Sequence, residues 1–243
     1  MLIDSHSHLH DKEFFSAKEA KEALIRAREK GVLKIVCIGT SHADSLAAQE
    51  FAKSYNDVYW TYGIHPENAG CVDDLMTLAS DARPVAIGEV GLDYHYDGYD
   101  RGAQIRLFEQ MLQLARERDL PLSFHVREAF DDFFPVIQNF PGVRGVVHSF
   151  SDNKKNLKRI LNETNFYVGV NGMATYSTLP TPPLDRILLE TDAPFLTPAP
   201  FRGEKNESGF IREIALWLSE KLEVDFGLVE KETTKNACEL FKF

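Results

Sequence analysis

The chain has 243 residues, 44% hydrophobic and 26% charged, ordinary globular values that permit a substantial core without staples. Its formal net charge of −10 argues against non-specific coating of duplex DNA, which basic proteins perform, but not against an enzyme that grips one strand end through a few local cations. The three cysteines, Cys37, Cys71 and Cys238, lack a CxxC spacing, which disfavours disulfides and a zinc–thiolate site and favours a reducing compartment. The N-terminal MLIDSHSHLH has no basic stretch leading into an apolar one, and no apolar run approaches a membrane span, so a soluble, cytoplasmic protein is expected.

The first expected strand is LIDSH. A helix follows over about Ser16 to Lys30, with Ala20, Leu24 and Ala27 on one stripe and Gly31 closing it. KIVCIG is the second strand, followed by a helix from about Ala43 to Lys53. VYWTYGIHP is the third, with a weaker helix near 72–80 behind it. PVAIGEVG is the fourth, and a helix over about Gly102 to Arg118 places Ile105, Phe108, Leu112 and Ala115 inward. LPLSFHV is the fifth, with a helix around Ala129 to Asn139. VRGVVHSF is the sixth, followed by a basic helix near Lys154 to Leu161. FYVGVN and RILLE are the seventh and eighth, and the tail beyond Gly209 forms two helices.

All eight strands are apolar on both faces, which suits a parallel sheet buried on both sides, and their number selects an α/β fold of the (β/α)8 TIM-barrel type. GxGxxG and GxxxxGK are absent. One domain over 1–243 is expected. Between strands 7 and 8, Pro180, Pro182 and Pro183 forbid a normal helix, so the helix there is predicted to be short or missing, its segment forming a surface loop, with a loop over the mouth as the alternative.

Six side chains of metal-ligand type close apolar runs: His6 and His8 after LIDS, Glu89 in PVAIGE, His125 in PLSFH, His148 in GVVH and Asp192 in RILLETD. At strand ends of a parallel barrel they converge on the C-terminal mouth, where barrel enzymes place their chemistry. His6 and His8, two apart on a strand, face the same way; His10 is expected beyond the strand end, with no metal role. Four imidazoles and two carboxylates suit Zn²⁺ or Mn²⁺ better than Mg²⁺ as sole occupant. Six ligands exceed the need of one tetrahedral ion and suit a pair that clamps attacking and leaving oxygens.

The segments HSHLH, GIHP, GEVGLDY, FHVRE, HSF and LLETDAPFLTP, with RGEKNE behind them, resemble the TatD family of metal-dependent deoxyribonucleases over essentially the whole chain. The resemblance implies that His6, His8 and Asp192 hold one divalent ion and His125 and His148 a second, with Glu89 shared, the ions being Mg²⁺, Mn²⁺ or Zn²⁺. Asp192 is then the best-placed general base, with Glu89 also catalytic. His65 in GIHP resembles a family residue that contacts the scissile phosphate, and Arg127 is placed to fork onto the same phosphate; capping of the strand 3 loop by His65 and pairing of Arg127 with Glu128 are the plainer alternatives. Arg202, Lys205 and Asn206 are expected along a nucleic-acid backbone, although Glu204 and Ser208-Gly209 depart from the family pattern. Lys154, Lys155, Lys158 and Arg159 are expected to form a solvated face, and Tyr94, Tyr96 and Tyr99 to pack the mouth or stack on bases.

The expected activity is metal-dependent hydrolysis of phosphodiester bonds in DNA, from the 3′ end of a single-stranded or frayed terminus, by a monomer without membrane attachment. A binuclear hydrolase of an ester or amide bond, an aminoacyl-tRNA ester included, is the alternative, because one barrel serves many substrates. A purely binding role leaves six ligands without a purpose.

Overall fold

The computed structural model describes residues 1–70 and 82–243. Eight parallel strands, β1 (Leu2–Ser7), β2 (Val32–Cys37), β3 (Val58–Tyr62), β4 (Ala86–Asp93), β5 (Leu122–Arg127), β6 (Gly145–Val147), β7 (Tyr167–Val170) and β8 (Ile187–Leu189), are neighbours in sequence order. The seam between β8 and β1 closes through a parallel bridge, Ser7 to Ala193, with Asp192 N donating to the His6 carbonyl at 2.8 Å and His8 N to the Ala193 carbonyl at 2.7 Å. Buried Asp4 reinforces the seam by accepting from Thr191 N at 2.9 Å and Thr191 Oγ1 at 2.6 Å. This is the (β/α)8 barrel that the strand count predicts.

Seven α-helices wrap it among the described residues: α1 (Ala17–Glu29), α2 (His42–Ala52), α3 (Arg101–Arg118), α4 (Phe130–Gln138), α5 (Lys154–Glu163), α6 (Ile211–Leu222) and α7 (Phe226–Phe241). The helix expected near 72–80 lies outside the described residues. The start of α1 is fixed by a capping box, in which Ser16 and Glu19 each satisfy the other's backbone N–H, and its buried stripe is Ala20, Ala23, Leu24 and Ala27. On α3 the expected stripe is modified: Phe108, Leu112 and Ala115 are buried, Ile105 only partly, and Gln104 is buried instead. No described helix is long and apolar enough to cross a membrane.

The connection between β7 and β8 is two 3-10 turns, Gly172–Tyr176 and Leu184–Arg186, with the prolines between them. Pro180, Pro182 and Trp217 of α6 border one cleft along β7. The first turn, not the prolines, reaches the barrel mouth, through Met173.

Packing beneath β5 shows how the fold aims a ligand. Phe124 is fully buried, with its ring 6.0 Å from Phe108, 5.3 Å from Phe133 and 4.8 Å from Phe166. Burying each such ring contributes about 1.5–3 kcal/mol. Adjacent strand residues face opposite ways, so anchoring Phe124 outward turns His125 into the mouth. Gly63 plays a complementary part beyond β3, because a Cβ there would lie 2.2 Å from the Gly88 carbonyl carbon and 2.3 Å from Glu89 N. Gly63→Ala is therefore expected to cost about 1–3 kcal/mol by overpacking and to displace Glu89. Denaturant unfolding checks the stability loss, and a wild-type midpoint would refute it.

Candidate metal centre

A cavity of about 650 Å³ opens at the C-terminal mouth, and His8, Glu89, His125, His148 and Asp192 line it, with His65 and Arg127. His6 is fully buried behind them. Glu89 and His125 lie within β4 and β5, which run on to Asp93 and Arg127; His8, His148 and Asp192 stand just beyond β1, β6 and β8. Asp192 has φ 56°, a left-handed conformation that Asp tolerates better than most residues.

Glu89 is central. Its Oε2 lies 3.5 Å from His6 Nε2, and its Oε1 lies 2.7 Å from His125 Nδ1 and 3.0 Å from His148 Nε2. Asp192 Oδ1 lies 3.6 Å from His6 Nε2 and 3.5 Å from His8 Nε2. Potential ligand atoms thus converge in three groups: His6, His8 and Asp192; His6, Glu89 and His148; and His65, Asp93 and His125.

His6 Nε2 is buried without a hydrogen-bond partner. An unsatisfied buried ring nitrogen costs about 1–3 kcal/mol, and this one faces two carboxylate oxygens at 3.5 and 3.6 Å. Ligands sharing a tetrahedral ion at about 2.0–2.1 Å stand roughly this far apart. The imidazole and carboxylate donor set fits a divalent cation of the Zn²⁺ or Mn²⁺ type.

The electrostatics suit cation binding. Burial opposes ionisation of Glu89, but the His148 charge and the hydrogen bonds of His125 and His148 hold its carboxyl well below the usual range. Burial of Asp192 is likewise outweighed, by the His8 hydrogen bond and the neighbouring imidazole charges, and its carboxyl stays low. Burial pulls His65 down to about 4, and burial with the facing His148 pulls His6 down, leaving both rings neutral. Burial works the same way on His8, His125 and His148 but is overcome by Asp192, by Asp93 with Glu89, and by Glu89 with Glu190. The carboxylates that favour a proton on these rings would equally favour a cation in its place.

The other expected site residues divide. His65 Nδ1 accepts from Glu67 N at 3.3 Å, capping the loop, while Nε2 faces the cavity 3.9 Å from Glu89 Oε1. Arg127 lies 5.3 Å over the Tyr96 ring at the cavity wall and not on Glu128, which pairs with His95 at 2.7 Å. Arg202 and Lys205 are not among the residues lining the cavity. The Arg202 guanidinium stacks 4.0 Å over Tyr176, while Lys205 Nζ donates to the Phe14 carbonyl at 2.5 Å and pairs with Glu19 at 3.1 Å. Asn206 is fully buried, its amide spent on the Thr191 and Phe195 carbonyls, so it does not track a backbone. His10 bonds Asp44 at 2.9 Å, away from the ligand groups. Tyr94 and Tyr99 stack on each other at 4.6 Å, leaving Tyr96 exposed to the cavity. On α5, Arg159 pairs with Glu163 at 2.9 Å, and Lys154, Lys155 and Lys158 border an outer cleft.

The fold agrees with the comparisons. The TatD related DNase family model matches residues 3–242. The chain belongs to the TatD family. It is 32% identical to the uncharacterized metal-dependent hydrolase YabD of Bacillus subtilis, covering 100% of this chain and 99% of that protein. A protein of Pantoea sp. named 3′-5′ ssDNA/RNA exonuclease TatD is 32% identical over 93% of this chain and 94% of its own. The crystal structure of YjjV, a TatD homolog from Escherichia coli, matches with a TM-score of 0.90 at 27% identity, covering 100% of this chain and 98% of that one. This TatD-family chain is a metal-dependent hydrolase.

Two carboxylates that sequence reasoning missed stand behind the candidate centre. Asp93 Oδ2 lies 2.8 Å from His125 Nε2, and Glu190 Oε1 lies 3.4 Å from His148 Nδ1. Buried Gln104 clamps Asp93 by accepting from its N–H and donating to its carbonyl, both at 2.8 Å. For Asp93 the available signal was spacing: it stands four residues from Glu89 on β4, the same alternation that pairs His6 with His8. Carboxylates behind ligating imidazoles fix ring orientation, and their loss typically costs about 10–100-fold in metal affinity or activity. Asp93→Asn is expected to fall in that range when metal is titrated into stripped protein; wild-type affinity and rate would show that Asp93 does not support His125.

Proposed function

We propose that this TatD-family hydrolase is a deoxyribonuclease that trims single-stranded or frayed DNA from the 3′ end, as a monomer acting through its one domain. The observation that carries the reading is that His65 and Arg127, two groups suited to phosphate, open onto the same cavity as the ligand cluster. The relatives named exonucleases support it. The acidic chain, with only local cations at the mouth, suits a strand end better than intact duplex.

In this reading His6, His8 and Asp192 would hold one divalent ion and His125 and His148 another, with Glu89 shared. Such ions would acidify a water and offset charge on the scissile phosphate. Arg127, held against Tyr96, donates to the non-bridging phosphate oxygens, and His65 Nε2 donates from the opposite wall. Asp192, kept ionised, takes the proton of the attacking water and returns it to the departing 3′ oxygen. The water oxygen bonds to phosphorus as the P–O3′ bond breaks, giving a 5′-nucleotide and a strand shorter by one residue.

A substrate panel tests this. Metal-loaded protein is compared on a single-stranded oligonucleotide, a carboxylic ester, an amide and an aminoacyl-tRNA. The oligonucleotide is expected to show the highest kcat/KM, and faster turnover of any carbonyl substrate would overturn the reading.

A further inference from the structure

We propose that Phe195 and Phe14 form a stacking platform for the base of the nucleotide being released, held rigid by Asn206 and Lys205. The proposal rests on the nuclease reading and adds a specificity device to it.

Large apolar side chains left in water need a reason when they cluster at a site. Phe195 is 44% exposed and Phe14 37% exposed. Both line the cavity. Their rings meet edge to face at 5.1 Å, and Phe195 lies 6.2 Å from the ring of His8. Aromatic surface therefore begins beside the ligand cluster. Every base offers a π face to such a surface, whatever its hydrogen-bonding edge.

The backbone beneath the rings is tied down. Phe195 N donates to the Asp192 carbonyl at 2.8 Å, and Asn206 Nδ2 donates to the Phe195 carbonyl at 2.5 Å. Leu196, next in the chain, sits in the left-handed region at φ 53°. The Phe14 carbonyl accepts from Lys205 Nζ at 2.5 Å. Adjacent residues of the RGEKNE segment thus fix both platform residues, which gives that segment a task inside the protein. A platform ordered beforehand loses little freedom when a base docks.

The test compares a single-stranded oligonucleotide carrying a normal 3′-terminal nucleotide with the same strand ending in an abasic tetrahydrofuran analogue. Wild-type protein is expected to prefer the base-bearing end by about tenfold or more in kcat/KM. Phe195→Leu, which keeps apolar bulk but removes the π face, is expected to bring that preference close to one, and Phe195→Trp to retain it. If Phe195→Leu slows both substrates by the same factor, the ring serves only the fold and the proposal fails. If wild-type protein cleaves both ends equally, the nuclease reading stands and the platform falls. If it cleaves neither strand while turning over an ester, the nuclease reading itself fails, taking the platform with it.

Discussion

Glu89→Gln is expected to lower metal-dependent hydrolysis about a thousandfold, the equivalent of roughly 4 kcal/mol. The substitution keeps the shape of the side chain but removes the charge around which the centre is arranged. One oxygen faces His6 and the other faces His125 and His148, so the amide can keep an acceptor toward one side only and must present N–H groups to the other. In the proposed reading the divalent cations would lose their shared anion, and the rings lose the carboxylate beside them. If Glu89 were only a hydrogen-bond acceptor for buried imidazoles, the amide oxygen would largely replace it and the rate would fall less than about tenfold. Metal content after dialysis, measured beside the rate, checks the cause: the variant is expected to bind substoichiometric metal.

Asp192→Asn is expected to reduce kcat by about 10²–10⁴-fold even at saturating metal, the range of a lost general acid–base group. Asp192 serves two purposes in the proposed reading. Its Oδ1 faces His6 and His8, and its carboxylate handles the proton of the attacking water. A loss of ligation alone would be repaired by raising the metal concentration. A rate that returns to wild type at high metal would confine Asp192 to ligation and move the general base elsewhere. The left-handed backbone at Asp192 is a cost of about 1–3 kcal/mol for a residue other than glycine, and it aims the carboxylate across the β8–β1 seam toward His8.

The barrel and the gathering of six ligand-type side chains at its mouth were legible because their signals are local. A strand buried on both faces is a continuous apolar run, and a histidine or carboxylate breaking that run is conspicuous. Strand ends were less legible: VRGVVHSF forms only the three-residue β6, and the chain turns through a left-handed Ser149 at φ 46° just beyond His148. Gln104 was invisible because one polar residue in an apolar stripe has no local meaning; it earns its place by clamping Asp93, 11 residues away. The internal contact of Lys205 was invisible for the same reason, since the carbonyl that holds it belongs to Phe14, 191 residues earlier. The Phe14–Phe195 pair likewise exists only once the barrel has closed.

The most direct measurement is cleavage of a 5′-labelled single-stranded oligonucleotide by protein stripped with EDTA and then supplied with Mg²⁺, Mn²⁺ or Zn²⁺, beside Glu89→Gln. The account predicts a ladder shortening from the 3′ end that depends on added metal and disappears in the variant. An intact strand with every metal, while the protein binds metal stoichiometrically, would contradict it.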